Sequence, residues 1–180
     1  MSWLTLVGMG LAGILIIVYW QKKDVNRVLI GGKRLYIQSL IGLFYGTFSS
    51  LLAVTLINGR GFKSVRQFFN NLMQQINPSF PSILFYSICA GVGEEILFRA
   101  GIQPMIGIWP AAIVFVLLHG YINPYNLNLT IYGLFLVIIA AGFGYLFKFF
   151  GLMSAVVAHI IYDISMFSLL KYAARPRVPS

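Results

Sequence analysis

Long uncharged runs constrain this chain more than anything else in it. "WLTLVGMGLAGILIIVYW", Trp3 to Trp20, carries no charge and has a tryptophan at each end. A membrane-crossing helix needs ~20 predominantly apolar residues, and tryptophan concentrates where membrane meets water. Comparable runs extend from about Leu35 to Asn58, from Ser82 onward, from Ile106 to Tyr121, from Leu129 to Phe150 and from Leu152 to about Tyr172. Composition agrees: 59% of the residues are hydrophobic and only 9% charged, against roughly 25% charged in a soluble domain. The strict alternation of a membrane β-barrel is not seen. The expected fold is therefore all-α: a polytopic transmembrane helical bundle of about six spans, one domain over residues 1–180, multi-pass in the cell membrane.

The segments between the runs carry most of the positive charge. "QKKDVNRVLIGGKR" is basic and reads as a cytoplasmic loop, which puts the N-terminus outside. The first run is not expected to be a secretory signal, because Lys22 and Lys23 follow it instead of preceding it. Six spans would also leave Arg60, Lys63, Arg66, Lys171, Arg175 and Arg177 outside, so the charges alone do not fix the orientation. The net charge of +9 is spread around apolar segments, where it faces lipid headgroups; no nucleic-acid partner is expected.

In "GRGFKSVRQFFNNLMQQINPSFP" the residues Phe62, Val65, Phe68, Phe69 and Leu72 recur at helical spacing among basic and amide side chains. That pattern predicts a short helix lying in the interface, ended by Pro78 and Pro81, and serving as a connector or as a lid over a substrate site. Gly133, Gly142 and Gly144 permit close helix approach. Cys89 stands alone, so it is expected to be a small core residue. The tail "KYAARPRVPS" is expected to fray. No internal repeat supports an inverted-repeat transporter.

The chain has four acidic residues and two histidines. Except for Asp24, all fall within the apolar runs: Glu94, Glu95, His119, His159 and Asp163. A charge at membrane depth costs at least ~2.5 kcal/mol even on lenient scales and is rarely kept without a use. Glu95 and Arg99 are four apart and can pair on one helix face, while Glu94, rotated ~100° from Glu95, stays free. His159 and Asp163 are also four apart, which suits a carboxylate that fixes an imidazole's tautomer. Phe115 precedes His119 by four and can pack over the site.

Elimination narrows the chemistry. An aspartyl protease in the membrane needs two aspartates there, and only Asp163 qualifies. The zinc-protease pattern H-E-x-x-H is absent, and so is a serine in a G-x-S-x-G turn. Water activated by a glutamate and a histidine, with or without a metal, is what remains.

These residues carry a family resemblance. "EEILFR" (Glu94 to Arg99) resembles the E-E-x-x-x-R motif of the CAAX protease and bacteriocin-processing (CPBP, or Abi) family. "FVLLH" (Phe115 to His119) is similar to its F-x-x-x-H motif, and "HIIYD" (His159 to Asp163) to its H-x-x-x-N or H-x-x-x-D motif. The three occur in order across about residues 82–170. The resemblance implies a helical intramembrane endopeptidase, similar to type II CAAX prenyl endopeptidases, acting on a membrane-embedded or lipidated peptide or protein. It implies that Glu94, helped by His119, activates water, that His159 and Asp163 stabilise the oxyanion, and that Glu95 and Arg99 support the site. Should a metal be present, zinc on Glu94, His119 and His159 is the implied arrangement.

Two departures stand out. Asp163 occupies a position where the prenyl endopeptidases favour asparagine, and an ionised aspartate cannot donate to an oxyanion. Six spans are also fewer than the eight those enzymes have. The alternatives are a non-catalytic scaffold or immunity protein of the same family and a transporter that relays protons or metal through the same carboxylates.

Overall fold

The computed structural model describes residues 2–173, and all regular structure among them is helical. The expected fraying of the tail lies outside these residues beyond Ala173. Four helices are long and apolar enough to cross a membrane: α3 (Leu35–Asn58), α5 (Phe80–Ile106), α7 (Leu127–Phe150) and α8 (Leu152–Ala173). Two shorter apolar helices complete the bundle, α1 (Thr5–Trp20) and α6 (Ile108–Leu118). The six expected runs are thus all helical, but two are shorter than a full span. The expected fourth span, Ile106 to Tyr121, is divided: Gly107, at φ 92°, breaks the chain before α6, and α6 stops at Leu118 with His119 as its cap. At 1.5 Å per residue α6 covers only ~17 Å, about half of a ~30 Å hydrocarbon core.

The basic loop folds as the short helix α2 (Val25–Ile30), capped by the Asp24 carboxylate accepting from the Arg27 backbone N–H at 2.7 Å. The amphipathic segment forms α4 (Lys63–Ile76), and its ending differs from expectation. Asn77, in the left-handed region at φ 38°, closes the helix before Pro78. Pro81 belongs instead to the first turn of α5, where its missing N–H costs nothing. There Ser79 caps the helix by accepting from the Ser82 N–H. The buried face of α4 is Val65, Phe69 and Met73, packed on Ala53 and Ile57 of α3, Leu129 and Tyr132 of α7, and Met166 and Leu170 of α8. Phe68 points away and is 45% exposed. The helix is therefore docked on the bundle instead of lying free at its edge.

Close approach of α3 and α8 organises the interior. A Cβ on Gly42 would come within 2.6 Å of the Ser154 carbonyl, and Gly46 lies against Ala158 in the same way. Without lipid-expelled surface to gain, membrane helices associate through such backbone-to-backbone packing. Gly142 of α7 accommodates the Tyr45 phenol, whose hydroxyl donates to the Ile139 carbonyl at 3.1 Å. Gly133 and Gly144 likewise sit against Tyr121 and Gln103. Cys89 is a core residue, 1% exposed.

Candidate active site

Three helices bring the singled-out residues together. The middle of α5 supplies Glu94 and Glu95, just before it widens into a π-helical stretch, Ile96–Ile102, that carries Arg99. Such widened turns occur frequently at functional sites. The C-terminal cap of α6 supplies His119, and α8 supplies His159 and Asp163.

Glu95 is the centre of the buried part. Its Oε2 accepts from Arg99 Nε–H at 2.9 Å, with both side chains fully buried. Its Oε1 accepts from His159 Nδ1–H at 2.8 Å. The expected partner for fixing His159 was Asp163; the structure gives that place to Glu95. The i,i+4 offset brings Asp163 Oδ2 only to 3.7 Å from the opposite ring nitrogen, Nε2, beyond hydrogen-bonding range. A carboxylate on a neighbouring helix can meet Nδ1 head-on, and Glu95 does.

With Nδ1–H committed to Glu95, His159 Nε2 is turned towards Glu94 Oε2, 3.9 Å away. His119 repeats this logic. Its Nδ1–H donates to the Phe115 carbonyl at 2.7 Å, one turn back on its own helix, and its Nε2 faces Glu94 Oε2 at 3.6 Å. Two imidazoles from different helices thus aim their Nε2 atoms at one carboxylate oxygen. All six sequence-selected residues join in one connected cluster, graded from the fully buried Arg99 and Glu95 to the His119 side chain, 34% exposed.

Aromatic rings hold the imidazoles in place. Phe115 packs at 4.3 Å on His119 and at 5.9 Å edge-on to His159, and the Arg99 guanidinium lies 5.5 Å from its centroid. Phe143 stacks on the other side of His159 at 5.5 Å. Phe115 was expected from its spacing; Phe143 was not, because nothing in α7 marks one phenylalanine among many. Tyr121, its ring stacked parallel to that of His119 with centroids 6.3 Å apart, was also missed, since it lies beyond the motif in an irregular segment.

Two hollows meet at this cluster. One, of about 290 Å³, is lined by Thr5, Tyr86, Glu94, His119 and Asp163 among others. The other, of about 100 Å³, is apolar and walled by Phe69 of α4 with Tyr132, Phe143 and Met166. His119, Tyr121, His159, Asp163 and Phe167 border both.

The donor types at Glu94, His119 and His159 suit zinc, which takes imidazole nitrogen and carboxylate oxygen at ~2.0–2.2 Å. Their spacing does not close around an ion: among the described residues no group of three or more His, Cys, Asp or Glu is arranged to hold a metal. Tetrahedral donors at those bond lengths stand ~3.3–3.6 Å apart, and His159 Nε2, 3.9 Å from Glu94 Oε2, lies beyond that.

Comparison with known proteins agrees with the geometry. A family model described as type II CAAX prenyl endopeptidase Rce1-like matches residues 76–165, half of the chain. An uncharacterised protein of Bacillus subtilis (strain 168), YpbD, is 33% identical over 89 residues, which cover 47% of this chain and 43% of that protein. No solved structure matches.

Proposed function

Because the chain belongs to the Rce1-like family of type II CAAX prenyl endopeptidases, we propose that it is an intramembrane endopeptidase in which Glu94 activates the attacking water. The convergence of two imidazole Nε2 atoms on Glu94 Oε2, from helices α6 and α8, carries this reading. The 3.6 Å between Glu94 Oε2 and His119 Nε2 is too long for a direct hydrogen bond and suits a water bridging the two.

In the reaction Glu94 takes a proton from that water as its oxygen attacks the peptide carbonyl carbon. His119, its tautomer fixed through Phe115, accepts the water's second hydrogen bond and aims its lone pair. The carbonyl π electrons move onto oxygen, and His159 Nε2, when protonated, donates to the oxyanion. Asp163 balances the imidazolium charge and does not itself donate, which accommodates its replacement of asparagine. Collapse of the tetrahedral intermediate breaks the C–N bond, and protonated Glu94 returns its proton to the leaving amine. Glu95 and Arg99 are positioning residues that act through His159. The larger hollow receives the substrate backbone and the apolar pocket one hydrophobic side chain. The substrate is a membrane-embedded or lipidated peptide, and the enzyme is multi-pass in the cell membrane.

The test compares wild type, Glu94→Ala and Glu94→Gln in lipid nanodiscs against a library of membrane peptides, including prenylated ones. Cleavage is read by mass spectrometry and zinc is counted on the same samples. Cleavage by wild type alone, with all three folded, supports the reading, and a zinc count near zero supports water activation by Glu94 without metal. Equal cleavage by all three would remove Glu94 from the mechanism, and stoichiometric zinc lost with the substitutions would recast it as a ligand. Cleavage of no peptide by any of them would favour the scaffold.

A further inference from the structure

A hollow larger than either at the carboxylate–histidine cluster lies elsewhere in the bundle. It measures about 730 Å³ and lies where the ends of α1, α5 and α7 meet the basic loop. Lys23, Arg27 and Lys148 line it, and no acidic residue does. All three cations are exposed, and no ion pair within 4.0 Å engages any of them among the described residues.

A further observation points to a ligand. The N-terminus of α6 opens on this hollow through Ile108 and Trp109, with Gly107 at the cap and no side-chain cap hydrogen bond. First-turn N–H groups have no acceptor inside their own helix, and an uncapped helix start favours an anion. The site thus offers positive charge and free amide donors.

From this combination we infer that the hollow binds the headgroup of an anionic glycerophospholipid. The phosphate lies against Lys23, Arg27, Lys148 and the start of α6. A lipid is favoured over free phosphate because Trp109, Tyr145 and Phe149, all bordering the hollow, are 47%, 39% and 58% exposed. On a membrane helix such side chains face acyl chains. Basic pockets between transmembrane helices recognise headgroups in this way.

The experiment uses the full chain in phosphatidylcholine nanodiscs containing a minor fraction of phosphatidylglycerol, with retained lipid counted by native mass spectrometry. Lys23→Gln, Arg27→Gln and Lys148→Gln, at exposed positions remote from the cluster, are expected to lower phosphatidylglycerol retention roughly fivefold each, leaving phosphatidylcholine unchanged. Retention equal in wild type and the three charge variants would overturn the inference. So would an equal rise in thermal stability on adding inorganic phosphate to pure phosphatidylcholine discs.

Discussion

Glu95 holds two partners at once, so its replacement tests more than a salt bridge. Glu95→Gln keeps an oxygen for His159 Nδ1–H but removes the charge opposite Arg99, while Glu95→Ala removes both. Breaking a buried pair by deleting one member costs ~3–5 kcal/mol. The expected outcome is a folded but less stable Gln variant with part of its activity, and an Ala variant that is both unstable and inactive; thermal unfolding in detergent and peptide cleavage measure the two. Glu94→Gln should behave oppositely, with stability near wild type and cleavage lower by ~10²–10⁴-fold, the usual range for a lost general base. At this scale the sequence was informative because titratable residues are so scarce: the three motifs named all six members of the cluster. The misassignment of His159's partner arose because spacing reveals neighbours on one helix only. The bond from Glu95 to His159 joins residues 64 apart, and no local pattern encodes it.

Among the elements, the α3–α8 contact and the α4 cover are open to direct test. Gly46→Leu places a branched side chain where even a Cβ meets the Ala158 backbone, and overpacking of this kind typically costs ~1–3 kcal/mol. The helices must part, so lower thermal stability and a displaced His159 are expected, read by unfolding and by loss of cleavage together. Phe69→Ala removes the α4 wall of the apolar pocket. If a substrate side chain enters there, the cleavage-site profile should shift towards larger residues, whereas an unchanged profile would leave α4 as a connector. The existence of α4 was legible from its apolar spacing, and so were Val65 and Phe69 of its buried stripe, but Met73 was not named, Phe62 and Leu72 are only partly buried, and Phe68 faces outward. Its docking was not, because the same amphipathic pattern serves a lipid surface and a protein groove equally well. The break at Gly107 was hidden for a related reason: an uninterrupted apolar stretch does not say whether its helix is continuous.

Over the whole molecule, the unequal helix lengths make a prediction about depth. Helices α3, α5, α7 and α8 are each long and apolar enough to traverse the bilayer, while α6 starts at the same end as the basic hollow and stops after 11 residues. Cys89 is buried and gives little background labelling. A cysteine at Tyr125, 97% exposed in the segment after α6, is expected to react with a membrane-impermeant maleimide. One at Ile138, exposed halfway along α7, is expected to resist it. Equal labelling at both positions would mean that water reaches the segment following α6 no better than it reaches the lipid-facing middle of the bundle.

The shortness of α6 has a chemical consequence as well. Irregular backbone at bilayer depth persists only where protein or a wet cavity satisfies its polar groups, and the chain between Leu118 and Leu127, beginning at His119, is irregular. Hydrolysis consumes a reagent that hydrocarbon excludes. In the proposed mechanism, a helix that ends after 11 residues gives that reagent a route to Glu94, so its supply is expected to depend on membrane thickness. A thicker bilayer, which lengthens the path from the surface, would starve the same intact cluster.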